Sequence, residues 1–316
     1  VKQRFFLITT IVFMGLSLVL GMLYLRSQTV AGRYEQDQNP LLAKGLFLEN
    51  PSDIIINFEP LRKEIKAYLT STGLTHSFYF EYLFTGTNIR DGKDNKLVGA
   101  SLMKIPIVMD LYKAVEQGKI TLDKKVFVPQ NTAAASGTDE QYGNQKNLKP
   151  GDQISLREAA KIALVESDNT AAFTIFEATK DLLPAKEQSI NSLDVETRVG
   201  EAEQGNYALI DARSYTSFLK CLYFSCFLSM HDSQEILDYL TTTADDSRIP
   251  AGVPEQVKVA HKIGSFSDVT QSDCGIVYAS NRRYALCLML DTDVKTASQH
   301  IKKVSEMVYN YVTNVN

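Results

Sequence analysis

The hydrophobic pattern opens on a run without a single charge, FFLITTIVFMGLSLVLGMLYL, over residues 5–25. At about 1.5 Å per residue, a helix of this length crosses a hydrocarbon core of about 30 Å. Lys2 and Arg4 precede the run and Arg26 follows it. The run is longer than the apolar centre of a cleavable signal, so it predicts an uncleaved anchor over residues 1–26. Val30-Ala31 is a poor cleavage site and keeps secretion after cleavage as the alternative. Residues 27–45 are polar and aperiodic and read as a linker.

Beyond residue 46 the periods of folded elements appear. Leu61, Ile65 and Leu69 recur every four residues and predict a short amphipathic helix over 58–69. HSFYFEYLF at 76–84 is aromatic-rich with partial alternation, the signature of a strand. A long helical stretch follows over 102–239, broken by Gly- and Pro-bearing loops. Strands are predicted at 257–263, 275–279 and 284–290, with Ser280-Asn281-Arg282-Arg283 as the turn between the last two. The chain ends in a helix over 294–312, where Val294, Ala297, Ile301, Val304, Val308 and Tyr311 step by threes and fours.

Strands near both ends with helices between them predict an α+β fold, a single domain over 46–316. Segments 46–100 and 246–316 supply a mostly antiparallel sheet flanked by the N- and C-terminal helices. Residues 101–245 form an all-helical lobe. A crevice between two lobes is a usual place for a small-molecule site.

Composition narrows the partners. The net charge is −4 and no long basic run occurs, which argues against nucleic acid. The cysteines Cys221, Cys226, Cys274 and Cys287 form no CxxC pair, and no histidine stands at zinc-ligand spacing, so no metal is expected. Cys221 and Cys226 are five apart on a predicted helix and should point away from each other. All four read most simply as small buried hydrophobes. A Cys274–Cys287 bridge between neighbouring strands stays open.

The strongest chemical signal is Gly99-Ala100-Ser101-Leu102-Met103-Lys104, at the start of the helix KIPIVMDLYKAVEQG. Residues three apart share a helix face, so the Ser101 hydroxyl and the Lys104 amine can meet. A serine hydroxyl is a poor nucleophile until a base takes its proton. Lysine can be that base only when neutral, and burial or a second cation favours that state. The helix N-terminus adds N–H groups and a positive field for an oxyanion. Taken alone, the pair reads as a capping serine and a solvated lysine. Two further motifs are Ser167-Asp168-Asn169, otherwise a turn capping the next helix, and His261-Lys262-Ile263-Gly264-Ser265, otherwise an exposed lysine on an edge strand.

In this order the three resemble the S-x-x-K, S-D-N and K-T-G motifs of class A β-lactamases and their penicillin-recognising relatives. Pro150-Gly151-Asp152-Gln153-Ile154-Ser155-Leu156, Arg248-Ile249-Pro250-Ala251-Gly252-Val253-Pro254 and Asp273-Cys274-Gly275-Ile276-Val277 extend the likeness over roughly 45–316. The resemblance implies that Ser101 attacks the carbonyl of a β-lactam or a peptide amide and that Lys104 accepts its proton. It implies that Ser167 relays a proton to the leaving nitrogen and that Asn169 holds Lys104 and the substrate amide. Lys262 would supply the second cation and attract a substrate carboxylate. Gly264 and Ser265 would lie along the substrate, with the N–H groups of Ser101 and Ser265 as the oxyanion hole. This chemistry needs no cofactor.

Two departures qualify the likeness. Ile263 stands where the family carries a hydroxyl that binds the substrate carboxylate, and no arginine is evident on the following strand; Arg282 and Arg283 fall in the predicted turn. The family's Glu-x-x-Leu-Asn segment, whose glutamate activates the deacylating water, is missing. In SLDVETRVGEAEQGNYALIDARSY only Glu201 and Glu203 lie in the right stretch for a deacylation base, and the plainer reading of both is solvated loop charge. The expected function is therefore that of a membrane-anchored serine hydrolase, facing outward from the cell membrane, acylated at Ser101 and deacylated slowly. The alternatives are a D,D-carboxypeptidase-type peptidoglycan peptidase and a catalytically degenerate cell-wall or β-lactam-binding protein.

Overall fold

The strand Tyr284–Asp291 (YALCLMLD) shows why a sheet forms here: seven of its eight side chains are buried, so it must be covered on both faces. The computed structural model describes residues 13–24, 56–130, 148–202 and 205–315, without the side chains at 201, 202, 205 and 206. Two units separate. One holds a helix over residues 13–24; the other runs Asn57–Val315. Among the described residues no helix is long and apolar enough to cross a membrane. The rest of the predicted 5–25 span lies outside them.

The Asn57–Val315 unit begins with α1 (Glu59–Thr72), β1 (His76–Tyr82), β2 (Thr87–Asp91) and β3 (Leu97–Val98). A 3₁₀ turn, Ala100–Met103, leads into α2 (Lys104–Glu116). Then come β4 (Lys125–Phe127), β5 (Gln153–Ser155), α3 (Leu156–Val165), α4 (Asn169–Thr179), β6 (Arg198–Ala202), β7 (Gly205–Ile210), α5 (Ala212–Phe224) and α6 (Met230–Leu240). The last elements are β8 (Val259–Phe266), β9 (Thr270–Val277), β10 (Tyr284–Asp291) and α7 (Val294–Asn314).

The main sheet has the order β2-β1-β10-β9-β8, antiparallel throughout, so segments from both ends of the chain meet in its centre. α7 presents Ala297, Ile301, Val304, Val308 and Val312 to the core and packs beside α1, whose Leu61, Ile65 and Leu69 are also fully buried. Phe58 locks α1 to β1 through ring contacts of 5.2 Å with Phe80 and 5.5 Å with Tyr82. The helices start where short polar side chains accept a free N–H: Ser155 from Glu158, Asp168 from Ala171, Asp211 from Ser214, Ser229 from Asp232 and Asp293 from Thr296.

Several expectations are corrected. The segment predicted as all-helical also carries the β4–β5 pair and the β6–β7 hairpin, which β3 from outside the segment extends to a three-stranded sheet. Val199 and the run Tyr207-Ala208-Leu209-Ile210 have the β-branched and apolar content that a hairpin uses, and β7 pairs with β3 at Leu97–Ile210. β9 begins at Thr270, five residues before the predicted start, because its polar residues find buried partners. The cysteines pair as two disulfides, Cys221–Cys226 and Cys274–Cys287. The helical spacing of the first pair does not hold because α5 ends at Phe224. Ser225 takes a left-handed φ of 50°, and the Cys226 N–H returns to the Cys221 carbonyl at 3.0 Å.

Ile301 is fully buried between sheet and helix, whereas Lys302 beside it is exposed. Ile301→Ala is expected to destabilise the fold by about 2–5 kcal/mol, and Lys302→Ala by less than about 0.5 kcal/mol, in chemical denaturation. Equal effects would show that α7 does not anchor this core.

Candidate active site

The site is built where the 3₁₀ turn that opens α2, the turn between α3 and α4, and strand β8 converge. Ala100, with φ of 45°, places Ser101 at the mouth of α2, and the Gly99 N–H is held by the Ala208 carbonyl of β7 at 2.8 Å. Ser167 likewise has φ of 58°. A left-handed conformation costs a non-glycine residue about 1–2 kcal/mol, so both turns hold their serines against local preference.

Lys104 is 5 % exposed and points back along its helix. Its Nζ donates to Ser101 Oγ at 2.8 Å, Asn169 Oδ1 at 2.5 Å, the Ser167 carbonyl at 2.5 Å and Ser167 Oγ at 3.2 Å. Lys262, 1 % exposed, enters from β8 and donates to the same Ser167 Oγ at 2.7 Å. Five residues singled out from sequence, Ser101, Lys104, Ser167, Asn169 and Lys262, are therefore one hydrogen-bonded cluster. Burial depresses the Lys262 pKa to about 7; Arg248 pushes it the same way, while Asp273 and Asp245 oppose the shift.

Gly264 explains how β8 comes so close. A Cβ there would lie 2.4 Å from Ser272 Oγ, 3.0 Å from Leu102 Cγ and 3.1 Å from the Gly99 carbonyl, so no side chain fits between the strand and the turn bearing Ser101. Alternation along β8 puts Lys262 and Gly264 on one face and His261, Ile263 and Ser265 on the other. Ile263 is buried, 4 % exposed, and offers no hydroxyl.

The residue that sequence reasoning missed is Arg248. It is 1 % exposed, and its guanidinium reaches under β8. Nη2 donates to Ser265 Oγ at 3.1 Å and Gln271 Oε1 at 3.0 Å; Nη1 donates to the carbonyls of Gly264 at 3.1 Å and Ser272 at 2.5 Å. A positive charge thus stands beside Ser265 from a segment before β8 rather than from the strand after it. The only sequence signal was its place at the head of RIPAGVP.

Two carboxylates are weighed for deacylation, Glu201 and Glu203. Glu201 lies on β6, with its side chain outside the described residues, and Glu203 lies outside them altogether. Among the described residues one group of His, Asp and Glu has metal-like proximity, His231, Asp232 and Glu235 on the first turns of α6, none of them part of the Ser101 cluster.

Residues 60–312 match the beta-lactamase enzyme family. The chain belongs to that family. Its fold is like that of PBP-A, with a TM-score of 0.72 and 24 % identity over 83 % of this chain and 99 % of the other. A mutant of PBP-A, solved as an acyl-enzyme complex with penicillin G, gives 0.70 and 25 % over 81 % and 97 %. Two curated relatives match shorter stretches. The beta-lactamase regulatory protein BlaB of Streptomyces cacaoi is 26 % identical over 125 residues, 40 % of this chain and 39 % of its own length. The D-alanyl-D-alanine carboxypeptidase DacF of Bacillus subtilis is 25 % identical over 124 residues, 36 % of this chain and 30 % of its own length. The matched stretches thus span well under half of both curated relatives.

The depressed Lys262 pKa gives a signed prediction. In the unfolded chain lysine keeps its proton to about 10.4. Between that value and about 7 the unfolded state therefore binds more protons, and folding stability gains as pH rises. The melting temperature of the wild type should rise relative to Lys262→Met between pH 7 and 10. A difference that stays flat with pH would show that Lys262 is not neutralised by burial.

Proposed function

We propose that this chain is a penicillin-recognising serine hydrolase that is acylated at Ser101 by β-lactams or related amides and releases the acyl group slowly. The observation that carries this reading is the 2.8 Å contact between Lys104 Nζ and Ser101 Oγ, with Lys262 joined to the same cluster through Ser167. In its neutral form Lys104 takes the Ser101 proton as Oγ bonds to the carbonyl carbon. The carbon–nitrogen bond then breaks, and the nitrogen takes a proton from Ser167. The geometry supports that relay: Ser167 Oγ accepts from both amines, which occupies its two lone pairs and leaves its own proton to donate. Lys104 returns the proton to Ser167. The N–H groups of Ser101 and Ser265 serve the oxyanion.

By this reading Asn169 holds Lys104 through its carbonyl oxygen and donates from its NH₂ to the carbonyl of a substrate amide. Lys262, Ser265 Oγ and Arg248 form the cradle for a substrate carboxylate, with Arg248 replacing the hydroxyl that Ile263 lacks. Slow deacylation follows from chemistry: the stretch that would carry Glu-x-x-Leu-Asn has no such segment and folds partly as the β6–β7 hairpin. General-base help is worth typically about 10²–10⁴-fold.

The match to DacF favours a second reading, a D,D-carboxypeptidase that uses the same nucleophile on peptides. The charge-free run over residues 5–25 supports an N-terminal membrane anchor with the domain facing outward, where β-lactams and cell-wall peptides are met.

The wild type is expected to label with a fluorescent penicillin to about one equivalent and to keep the label, and Ser101→Ala should not label. Label persisting on the variant would sink Ser101 as nucleophile. Rapid steady turnover of a chromogenic cephalosporin would refute slow release, and release of D-alanine from a D-Ala-D-Ala peptide would favour the peptidase. Full-length chain should sediment with membranes and be extracted by detergent but not by alkaline carbonate; a carbonate-soluble chain rules out the anchor.

A further inference from the structure

On the face of β8 opposite Lys262 lies a buried ion pair that the acylation chemistry does not use. His261 is 1 % exposed and Asp273, on β9, is not exposed at all. His261 Nδ1 lies 2.9 and 3.1 Å from the two Asp273 oxygens, and Nε2 lies 2.5 Å from Thr243 Oγ1 and 3.5 Å from Asp246 Oδ1. Nδ1 faces the Asp273 carboxylate and Nε2 faces a hydroxyl that can donate or accept, with the Asp246 carboxylate beyond it; only the imidazolium donates toward both carboxylates. The fold makes room for the ring: a Cβ on Gly275, directly across from His261, would sit 2.6 Å from the His261 Cβ.

Asp273 links this pair to the site. Its Oδ2 accepts from the Ile249 N–H at 2.9 Å, which pins the peptide that follows Arg248. Arg248 itself donates to the Ser272 carbonyl, one residue from Asp273, and to Ser265 Oγ. A buried carboxylate without a cation is costly and draws the nearest positive charge. With His261 neutral, Arg248, whose neighbour Ile249 already donates to Asp273, is the cation we expect to be drawn from Ser265 toward that carboxylate.

We propose that His261 is a positioning residue: as the imidazolium it satisfies Asp273, and so keeps Arg248 on Ser265 and the carboxylate cradle assembled. This rests on the reading of the chain as an acylated serine hydrolase and adds a proton-dependent control of which acyl donors it accepts. The charged and titratable groups around the pair are Asp273 from β9, Asp245, Asp246 and Arg248 from the segment after α6, Lys262 from β8 itself and Tyr215 from α5. Despite burial, which lowers it, the His261 pKa is raised to about 9 by Asp273 and Asp246. The imidazolium is therefore the form present at neutral pH and is lost as pH rises through that value.

The experiment compares acylation of the full chain by two donors, benzylpenicillin and an activated phenylacetyl ester that has no carboxylate, with adduct formation followed by mass spectrometry. In His261→Gln the pre-acylation binding of penicillin should weaken about tenfold while the limiting acylation rate and the ester reaction stay within about twofold. The wild-type preference for penicillin should fall in two steps with pH, near 7 as Lys262 titrates and near 9 as His261 does; the variant should lack the upper step. An unchanged preference in the variant, with both steps kept, overturns the proposal alone. If the variant does not fold, the wild-type profile decides: no step near 9 overturns it. Failure of both donors to acylate the wild type removes the hydrolase reading and this proposal with it.

Discussion

Two buried amines meeting on one hydroxyl is the constraint around which this structure is arranged. Lys104 and Lys262 come from elements far apart in the chain, yet both donate to Ser167 Oγ. Like charges that close repel, and burial penalises each of them, so the arrangement stands only if the surrounding fold holds it. The fold does so with a strained turn at Ser167, a strand bare of side chains at Gly264 and a five-stranded sheet that fixes β8. The cost of assembling the cluster is met by the core beneath it, where α1 and α7 seal one side of the sheet.

The legible part of the fold was the part with simple periodicity. The helix closing the chain, the aromatic strand at its start and the central β10 all follow from apolar spacing. β2 was not legible because TNIRD buries one residue, Ile89, and is otherwise polar. The first half of β9 failed for the opposite reason: Thr270, Gln271, Ser272 and Asp273 read as loop, yet all four are buried, and Arg248 and His261 from other segments meet the last three. Polar residues become strand residues only when distant segments satisfy them, and one-dimensional spacing carries no record of that.

The candidate site divides the same way. Ser101 and Lys104 are local neighbours on one helix face, and the other members carry short motifs that keep their order along the chain. Arg248 has neither advantage. It lies fourteen residues before Lys262 in sequence and reaches Ser265 from a segment whose next peptide is tied to Asp273. The histidine beside Lys262 reads as structural when taken alone. Its packing against Asp273 shows it to be part of the charge balance behind the strand.

The register of the main sheet has one further consequence. Lys262 stands directly across from Cys274, and Cys274 directly across from Cys287, to which it is bonded. A strand that slips by one residue turns every side chain to the opposite face, and an edge strand bearing a buried cation would gain much by such a slip. The covalent staple forbids it between the two inner strands. It therefore fixes which way each residue of the neighbouring strand faces, and in the observed pairing, with Lys262 opposite Cys274, the amine is sent toward Ser167.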